Sequence, residues 1–407
     1  MAVELNTCQE PRTHTLRVLP PAPPPSPFKN ASRRVMGTFL PIRASRHLYQ
    51  QVYSGDVNGF VQDLVKQMQG DLLEELLPSD PHATLSSLRT SELLENLGEM
   101  TKYYFQQGGK MLRPTIALLM ASACNSATQR TIEHPVVGSR SHAAVCQNQY
   151  KIGMIAEMIH TASLVHDDVI DEATARRGNA SVNAVWGNKM SVLVGDYILA
   201  RATQVLCSIG RPYVISTMAR IIQDLVVGEF LQTTTAPKDE GMDRRIEEYI
   251  KKTYHKTASL FANSCKSAAI LTDENDKKLH SLAFEYGRNL GIAFQLVDDT
   301  LDFVATSDEL GKPVAADLKL GLATGPVIFA SVEYPELREM IAGKFSGAGE
   351  AEKAREIVLN SNGLKRTREL IDRYSHDAAR LIGQLPNRSE ASEKLIEIAL
   401  AQAERKY

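Results

Sequence analysis

From about residue 57 onward, apolar residues recur at intervals of three and four, the spacing that lines one face of an α-helix. Such segments run near 58–76, 92–106, 111–124, 150–171, 190–208, 213–233, 243–263, 276–303, 314–331 and 365–405. Alternating, strand-like runs are scarce. Breaks fall at Pro78 and Pro81, at Gly210-Arg211-Pro212, from Thr233 to Asp239, at Gly311-Lys312-Pro313 and around Gly347–Gly349, where proline or glycine interrupts helical backbone. The polar stretch Asn125–Gln149, which carries Pro135 and Gly138, reads as a mobile loop. The expectation is an all-α chain, a single large helical bundle around a central cavity, over residues 56–407.

The first 55 residues break this pattern. Eight of the 18 prolines lie before residue 45. Between Pro11 and Gly55 there is no acid, against seven basic residues: Arg12, Arg17, Lys29, Arg33, Arg34, Arg43 and Arg46. A segment so poor in apolar pattern is expected to be disordered, and its basic, acid-free composition suits a mitochondrial targeting peptide removed before about residue 55. Glu4, Glu10 and the proline tract depart from that pattern. The remaining bulk numbers mostly exclude. A net charge of −2 leaves no electrostatic footprint for nucleic acid. No apolar run approaches the roughly 18 residues that span a bilayer. The five cysteines (Cys8, Cys124, Cys146, Cys207, Cys265) are scattered, without the pairing of a zinc or redox site.

Two acidic clusters change the picture. Asp167, Asp168 and Asp171 end one apolar segment, and Asp298, Asp299 and Asp302 repeat the D-D-x-x-D spacing 131 residues later. Positions i and i+4 stack one turn apart on a helix, so Ser163 and His160 continue the face of Asp167 and Asp171, and Gln295 lines up with Asp298 and Asp302. One such motif alone is a solvated helix face, and one histidine in an apolar helix is a hydrogen-bonded core residue. Two matching clusters, each flanked by apolar residues and followed by basic ones, are not explained that way. Two opposed acidic walls require cations between them. Hard divalent ions with oxygen ligands fit, and Mg²⁺ completes its shell with water and substrate phosphates. Basic residues near the clusters, Arg176-Arg177 after the first and Lys312 after the second, suit the far side of a metal-bound diphosphate. Lys110 and Arg113 follow two glycines, and Lys256-Thr257 follows Tyr249 and Tyr254; in isolation these are a helix start and a surface charge.

Taken together, these elements resemble the trans-prenyltransferase, or polyprenyl diphosphate synthase, family, from about residue 60 to the C-terminus. The matching stretches are His160–Asp171 with Arg176-Arg177-Gly178, Gly228-Glu229-Phe230-Leu231-Gln232, Lys256-Thr257, and Gly291–Asp302 with Gly311-Lys312-Pro313. Within the family the likeness is greatest to catalytic subunits that make the ubiquinone side chain in mitochondria. The resemblance implies that Asp167, Asp171 and Asp298 bind Mg²⁺, with Asp168, Asp299 and Asp302 in support. It implies that Arg176, Lys256 and Lys312 contact the allylic diphosphate, and that Lys110, Arg113, His160 and Arg177 hold isopentenyl diphosphate. Thr257 and Gln295 would lie where the allylic cation develops. Short-chain members block the product tunnel with bulky residues four and five positions before the first motif; here these are Ser163 and Ala162, which implies a long product. The expected partners are the chain itself or a second, degenerate synthase subunit, together with a membrane surface for the lipid product. Three other readings stand beside this one: a short-chain farnesyl or geranylgeranyl diphosphate synthase, a non-catalytic subunit of a heteromer, and a terpene cyclase, which lacks the second aspartate-rich motif.

Overall fold

The computed structural model describes residues 59–77, 88–106, 111–129, 136, 144–176, 179–233, 241–304 and 315–404. The targeting segment and Lys110, Arg177 and Lys312 lie outside the described residues.

The described chain is built of helices. Near the N-terminal end stand α1 (Gly59–Glu75), α2 (Leu88–Gln106), α3 (Leu112–Thr128) and α4 (Gln147–Ile170). A two-residue hairpin follows, β1 (Ala175–Arg176) with β2 (Asn179–Ala180), in the register Ala175↔Ala180 and Arg176↔Asn179. Next come α5 (Val182–Trp186), α6 (Asn188–Cys207), α7 (Pro212–Thr233) and α8 (Met242–Thr253). Helix α8 runs into a single π turn (Tyr254–Ala258) and then α9 (Ser259–Thr272) and α10 (Lys277–Val304). The remainder is α11 (Ala316–Lys319), α12 (Gly325–Glu333), α13 (Glu336–Ala342), α14 (Glu350–Asn360), α15 (Gly363–Ile382) and α16 (Glu390–Glu404).

Several boundaries differ from the apolar periodicity for local reasons. The 243–263 segment is not one continuous α-helix: a π turn, Tyr254–Ala258, joins two α-helical stretches. The 365–405 segment breaks after Ile382, at Gly383 and ahead of Pro386, where proline cannot donate to the helix ladder. The ends of the expected 125–149 loop belong to helices. Asn125 and Gln149 are buried, and Asn125 Nδ2 donates to Gln149 Oε1 at 2.9 Å while Gln149 Nε2 donates to Asn125 Oδ1 at 3.1 Å. The Thr272 hydroxyl donates to Asn125 Oδ1 at 2.6 Å, so polar residues tie α3, α4 and α9 together inside the core. A buried amide satisfied in this way costs little, whereas an orphaned one costs about 1–3 kcal/mol.

Helix α10 organises the interior. Its 28 residues span about 42 Å at 1.5 Å per residue. Leu279–Leu290 join the main apolar core with α1, α3, α4 and α9, Ile292–Val297 form a second cluster with Tyr249, Ile371 and Tyr374, and Phe303 caps a third under α12–α14. Helix α6 is the one described helix that is, by length and composition, long and apolar enough to cross a membrane. Its Val194, Ile198 and Ala202 are buried against the main core, and Lys189, Asp196 and Arg201 interrupt it. It packs along α4. Cys124 and Cys265 are buried and free; burial pushes the Cys124 thiol up to about 12.

Candidate active site

The two acidic motifs end on the same cavity, about 480 Å³ in volume. Asp167 and Asp171 come from the end of α4, Asp298 and Asp299 from α10, and Glu229 of α7 and Asp317 of α11 complete the acidic lining. Arg113, Arg176, Lys252 and Lys256 face the same space. Six acids against four bases leave a formal lining charge of −2 (4 − 6). His160 and Ser163 continue the Asp167 face into the cavity, as the helical spacing requires.

Helix α4 stops where its acids begin. Glu172 adopts a left-handed conformation (φ 51°), and Ala173 N–H returns to the Asp168 carbonyl at 2.9 Å. This is a Schellman ending with glutamate in the position glycine usually takes, and it costs about 1 kcal/mol. It leaves Asp171 at the cavity mouth, its N–H on the Asp167 carbonyl at 2.8 Å.

Two of the six aspartates, Asp168 and Asp302, do other things. Asp168 is fully buried and accepts both hydrogen bonds of the Arg176 Nε–H, at 2.8 and 2.9 Å, with Arg176 Nη2 at 2.6 Å. Arg176 is thereby aimed from the hairpin into the cavity. Asp302 is also fully buried and does not line the cavity; its Oδ2 accepts the Asp317 N–H at 3.1 Å and its carbonyl accepts the Ala315 N–H at 3.0 Å. The face of α10 that meets the cavity is therefore Gln295–Asp298–Asp299, not Gln295–Asp298–Asp302. Asp302 lies a turn further on, where it holds the segment that brings in Asp317.

On the opposite side, the π turn presents Lys256 and Thr257. Lys256 Nζ donates to Glu229 Oε2 and Gln232 Oε1, both at 2.9 Å. Thr257 Oγ1 donates to Gln295 Oε1 at 2.8 Å, Gln295 Nε2 to Asp299 Oδ1 at 2.8 Å, and Tyr249 OH to Asp299 Oδ2 at 2.5 Å. A chain of four residues thus fixes the second acidic wall against the π turn. Single π turns of this kind recur at functional sites. Two glycines make room for it: a Cβ on Gly228 would stand 2.8 Å from Lys256 N, and one on Gly291 would stand 2.6 Å from Ala258 Cα. Behind the turn, Ser259 Oγ donates to Asp224 Oδ2 at 2.5 Å and His255 Nδ1 lies 3.2 Å from Asp224 Oδ1.

The acids feel this crowding. Burial pushes the Asp167 carboxyl up to about 6, helped by Glu229 and Asp171 and opposed by Lys256 and Arg176. Asp171 is raised by burial too, and Asp299 by burial against the hydrogen bonds of Tyr249 and Gln295. Among the described residues no three acids, histidines or cysteines close on one point as a cage. Carboxylates on two facing walls, with cations between, fit an ion that takes its remaining ligands from water and a phosphate. Of the residues read from the sequence, Arg113, His160, Ser163, Asp167, Asp171, Arg176, Lys256, Thr257, Gln295, Asp298 and Asp299 meet in this cavity. Ala162 does not line it; it is buried in the main core. Lys252, Tyr249, Glu229 and Asp317 line it without having been singled out for the site. The four-residue step from Lys252 to Lys256 was the available signal.

The polyprenyl synthetase family profile matches residues 94–358. The chain belongs to the polyprenyl synthetase family. It is 47% identical over 321 residues to the all-trans-polyprenyl-diphosphate synthase of Homo sapiens, covering 79% of this chain and 70% of that one. It is 41% identical over 290 residues to decaprenyl-diphosphate synthase subunit 1 of Schizosaccharomyces pombe, covering 68% and 75%. Among solved structures it is similar to a decaprenyl diphosphate synthase from Rhodobacter capsulatus, with a TM-score of 0.68, 29% identity and coverage of 86% and 99%. A polyprenyl synthase from Caulobacter crescentus, complexed with calcium and isoprenyl diphosphate, matches with a TM-score of 0.69, 26% identity and coverage of 87% and 99%. The chain is accordingly a prenyltransferase, a long-chain polyprenyl diphosphate synthase, with the all-α fold of that family. The cyclase reading falls away.

Proposed function

We propose that this synthase adds isoprene units to an allylic diphosphate in the cavity between α4 and α10, with Mg²⁺ held by Asp167, Asp171 and Asp298. The observation that carries this is the meeting of both acidic motifs with Arg176 and Lys256 in one space. Bound there, magnesium supplies Lewis-acid activation of the diphosphate as a leaving group. Asp168 aims Arg176 at that diphosphate, and Lys256, held by Glu229 and Gln232, stands beside it; the family resemblance assigns Lys312 to the same diphosphate. Asp299 and Asp302 position the second wall, through Gln295 and Tyr249 in one case and through Asp317 in the other. Arg113 and His160, with Lys110 and Arg177, hold isopentenyl diphosphate so that its double bond faces the allylic carbon. The C–O bond of the allylic diphosphate breaks, the double bond attacks the resulting cation, and a proton leaves to the departing diphosphate. Thr257 and Gln295 line the same cavity, and their fixed oxygen dipoles would offer this centre charge stabilisation that needs no reorganisation.

Ser163 lines the cavity and Ala162 is buried in the core beside it in sequence, and neither of this small pair is bulky enough to block a long chain. The ubiquinone side chain is the product that fits such a synthase. The acid-poor N-terminal segment, with relatives named as mitochondrial in Neurospora crassa and Yarrowia lipolytica, supports a matrix location for residues 56–407 as one catalytic domain. The relative named subunit 1 supports assembly with itself or with a degenerate second subunit, next to a membrane that receives the lipid. The test is incubation of the purified chain with radiolabelled isopentenyl diphosphate, farnesyl diphosphate and Mg²⁺. Long prenyl products are expected, abolished by EDTA and restored by Mg²⁺; turnover that ignores EDTA would sink the metal assignment.

A further inference from the structure

A second cavity, of about 370 Å³, lies behind part of the wall of the first. Gln232, Tyr249, Lys252 and Leu322 line both. Its volume falls within the range of about 300–1,000 Å³ typical of small-molecule sites. Its charge is reversed: Arg245, Lys251, Lys252 and Lys344 line it against Glu248, the one acid among its described lining residues. Arg245 is 8% exposed, whereas Lys251 and Lys344 stand at the surface. Leu231, Leu322, Ile328 and Ile341 supply an aliphatic floor. Gly321, with φ 77°, brings its loop so close that an added Cβ would lie 3.0 Å from Lys344 Cβ, which holds Lys344 at the mouth. Among the described residues, Lys252 makes no direct ion pair, and its Nζ lies over the Tyr249 ring, 5.7 Å from the centroid. Lys252 thus stands in the wall between the two cavities, within the field of Asp299, Asp317 and Glu229 on one side and beside Arg245 and Lys251 on the other.

We propose that this cavity is a second, metal-independent site for an isoprenoid diphosphate, with the cations holding the diphosphate and the aliphatic floor taking the prenyl chain. The ligand class rests on the chemistry of the family. The separation from the catalytic site is electrostatic. An allylic diphosphate enters a cavity lined by six acids only with divalent ions, but enters one lined by four bases without them. An occupant would press on the Tyr249–Lys252 wall, and Tyr249 donates to Asp299, so excess prenyl diphosphate would slow condensation.

Isothermal titration of geranyl diphosphate into the full chain in EDTA tests this. Saturable binding is expected, weakened at least tenfold in the Lys251→Glu/Lys344→Glu double variant and unchanged in Arg113→Ala. Both lysines are exposed, so the double variant keeps its fold, and it should retain the wild-type condensation rate at low substrate while losing inhibition at high farnesyl diphosphate. Binding lost in Arg113→Ala and kept in the double variant would put the ligand in the catalytic cavity and overturn the proposal. Equal affinity for inorganic diphosphate would overturn the part given to the aliphatic floor. The condensation assay on the same preparation separates the outcomes: active enzyme with no EDTA-resistant binding refutes the second site alone, whereas inactive enzyme refutes the catalytic reading.

Discussion

Asp167, the metal ligand proposed above, is held at a cost to the metal-free protein. Its carboxyl holds a proton more tightly folded, at about 6, than its ordinary value of 3.8. A raised acid weakens the fold as pH climbs through that interval, and its penalty vanishes once it is protonated in both states. Asp167→Asn without metal should therefore be more stable than the wild type at pH 7, by on the order of 1–2 kcal/mol after solvent screening. The advantage should close towards pH 4. Thermal melts across that range check this, and a variant equally stable or weaker at pH 7 would contradict it. The same substitution should reduce turnover by orders of magnitude, since no neighbouring carboxylate can take its place. Ser163 and Ala162 test chain length. Phe at both positions should shorten the product to farnesyl or geranylgeranyl length on thin-layer analysis of radiolabelled products, and an unchanged long product would remove the tunnel from this face of α4. Ala162, buried in the core, should bear most of the stability cost, about 1–3 kcal/mol from overpacking.

The π turn decides how its elements meet. Gly228 on α7 and Gly291 on α10 leave the space that its wider backbone occupies, and Thr257 and Gln295 lock it to the second acidic wall. A methyl at Gly228 would be forced against the Lys256 amide, so Gly228→Ala should displace Lys256 by a few tenths of an ångström. Transition-state stabilisation is sensitive to such shifts. The expected result is a loss of kcat of tenfold or more with destabilisation of about 1–3 kcal/mol. Gly70, an exposed helical glycine with nothing near its would-be Cβ, is the control, and its replacement by Ala should leave kcat unchanged. If both variants keep full kcat, the close packing at Gly228 has no catalytic consequence.

At the scale of the whole molecule, the cavity joins helices far apart in sequence. Asp171 and Asp298 are separated by 127 positions (298 − 171), yet they face the same space. A ligand that bridges both walls stabilises the folded chain by mass action, about 2.7 kcal/mol at a hundredfold excess over Kd. Mg²⁺ and inorganic diphosphate together should raise the melting temperature by more than the sum of their separate effects. That synergy should vanish in Asp298→Ala, which removes the carboxylate proposed to hold the ion on that wall. Simple additivity in the wild type would mean that the two walls do not share an ion.

Much of this was written in the chain itself. Helical periodicity marked most of the long elements, because an amphipathic helix must place apolar residues on one face wherever it packs. The D-D-x-x-D spacing put Asp167, Asp171, Ser163 and His160 on one side of α4 for the same reason. Periodicity could not say that Asp302 turns inward to hold Asp317, that Asp168 serves Arg176, or that the polar ends of the 125–149 stretch are buried partners. Those roles depend on groups brought near by other helices. Nor could it find Lys252 or the basic cavity behind it. A side chain's charge is local, but the field it meets is summed over every element packed around it, and only the tertiary structure sets that sum.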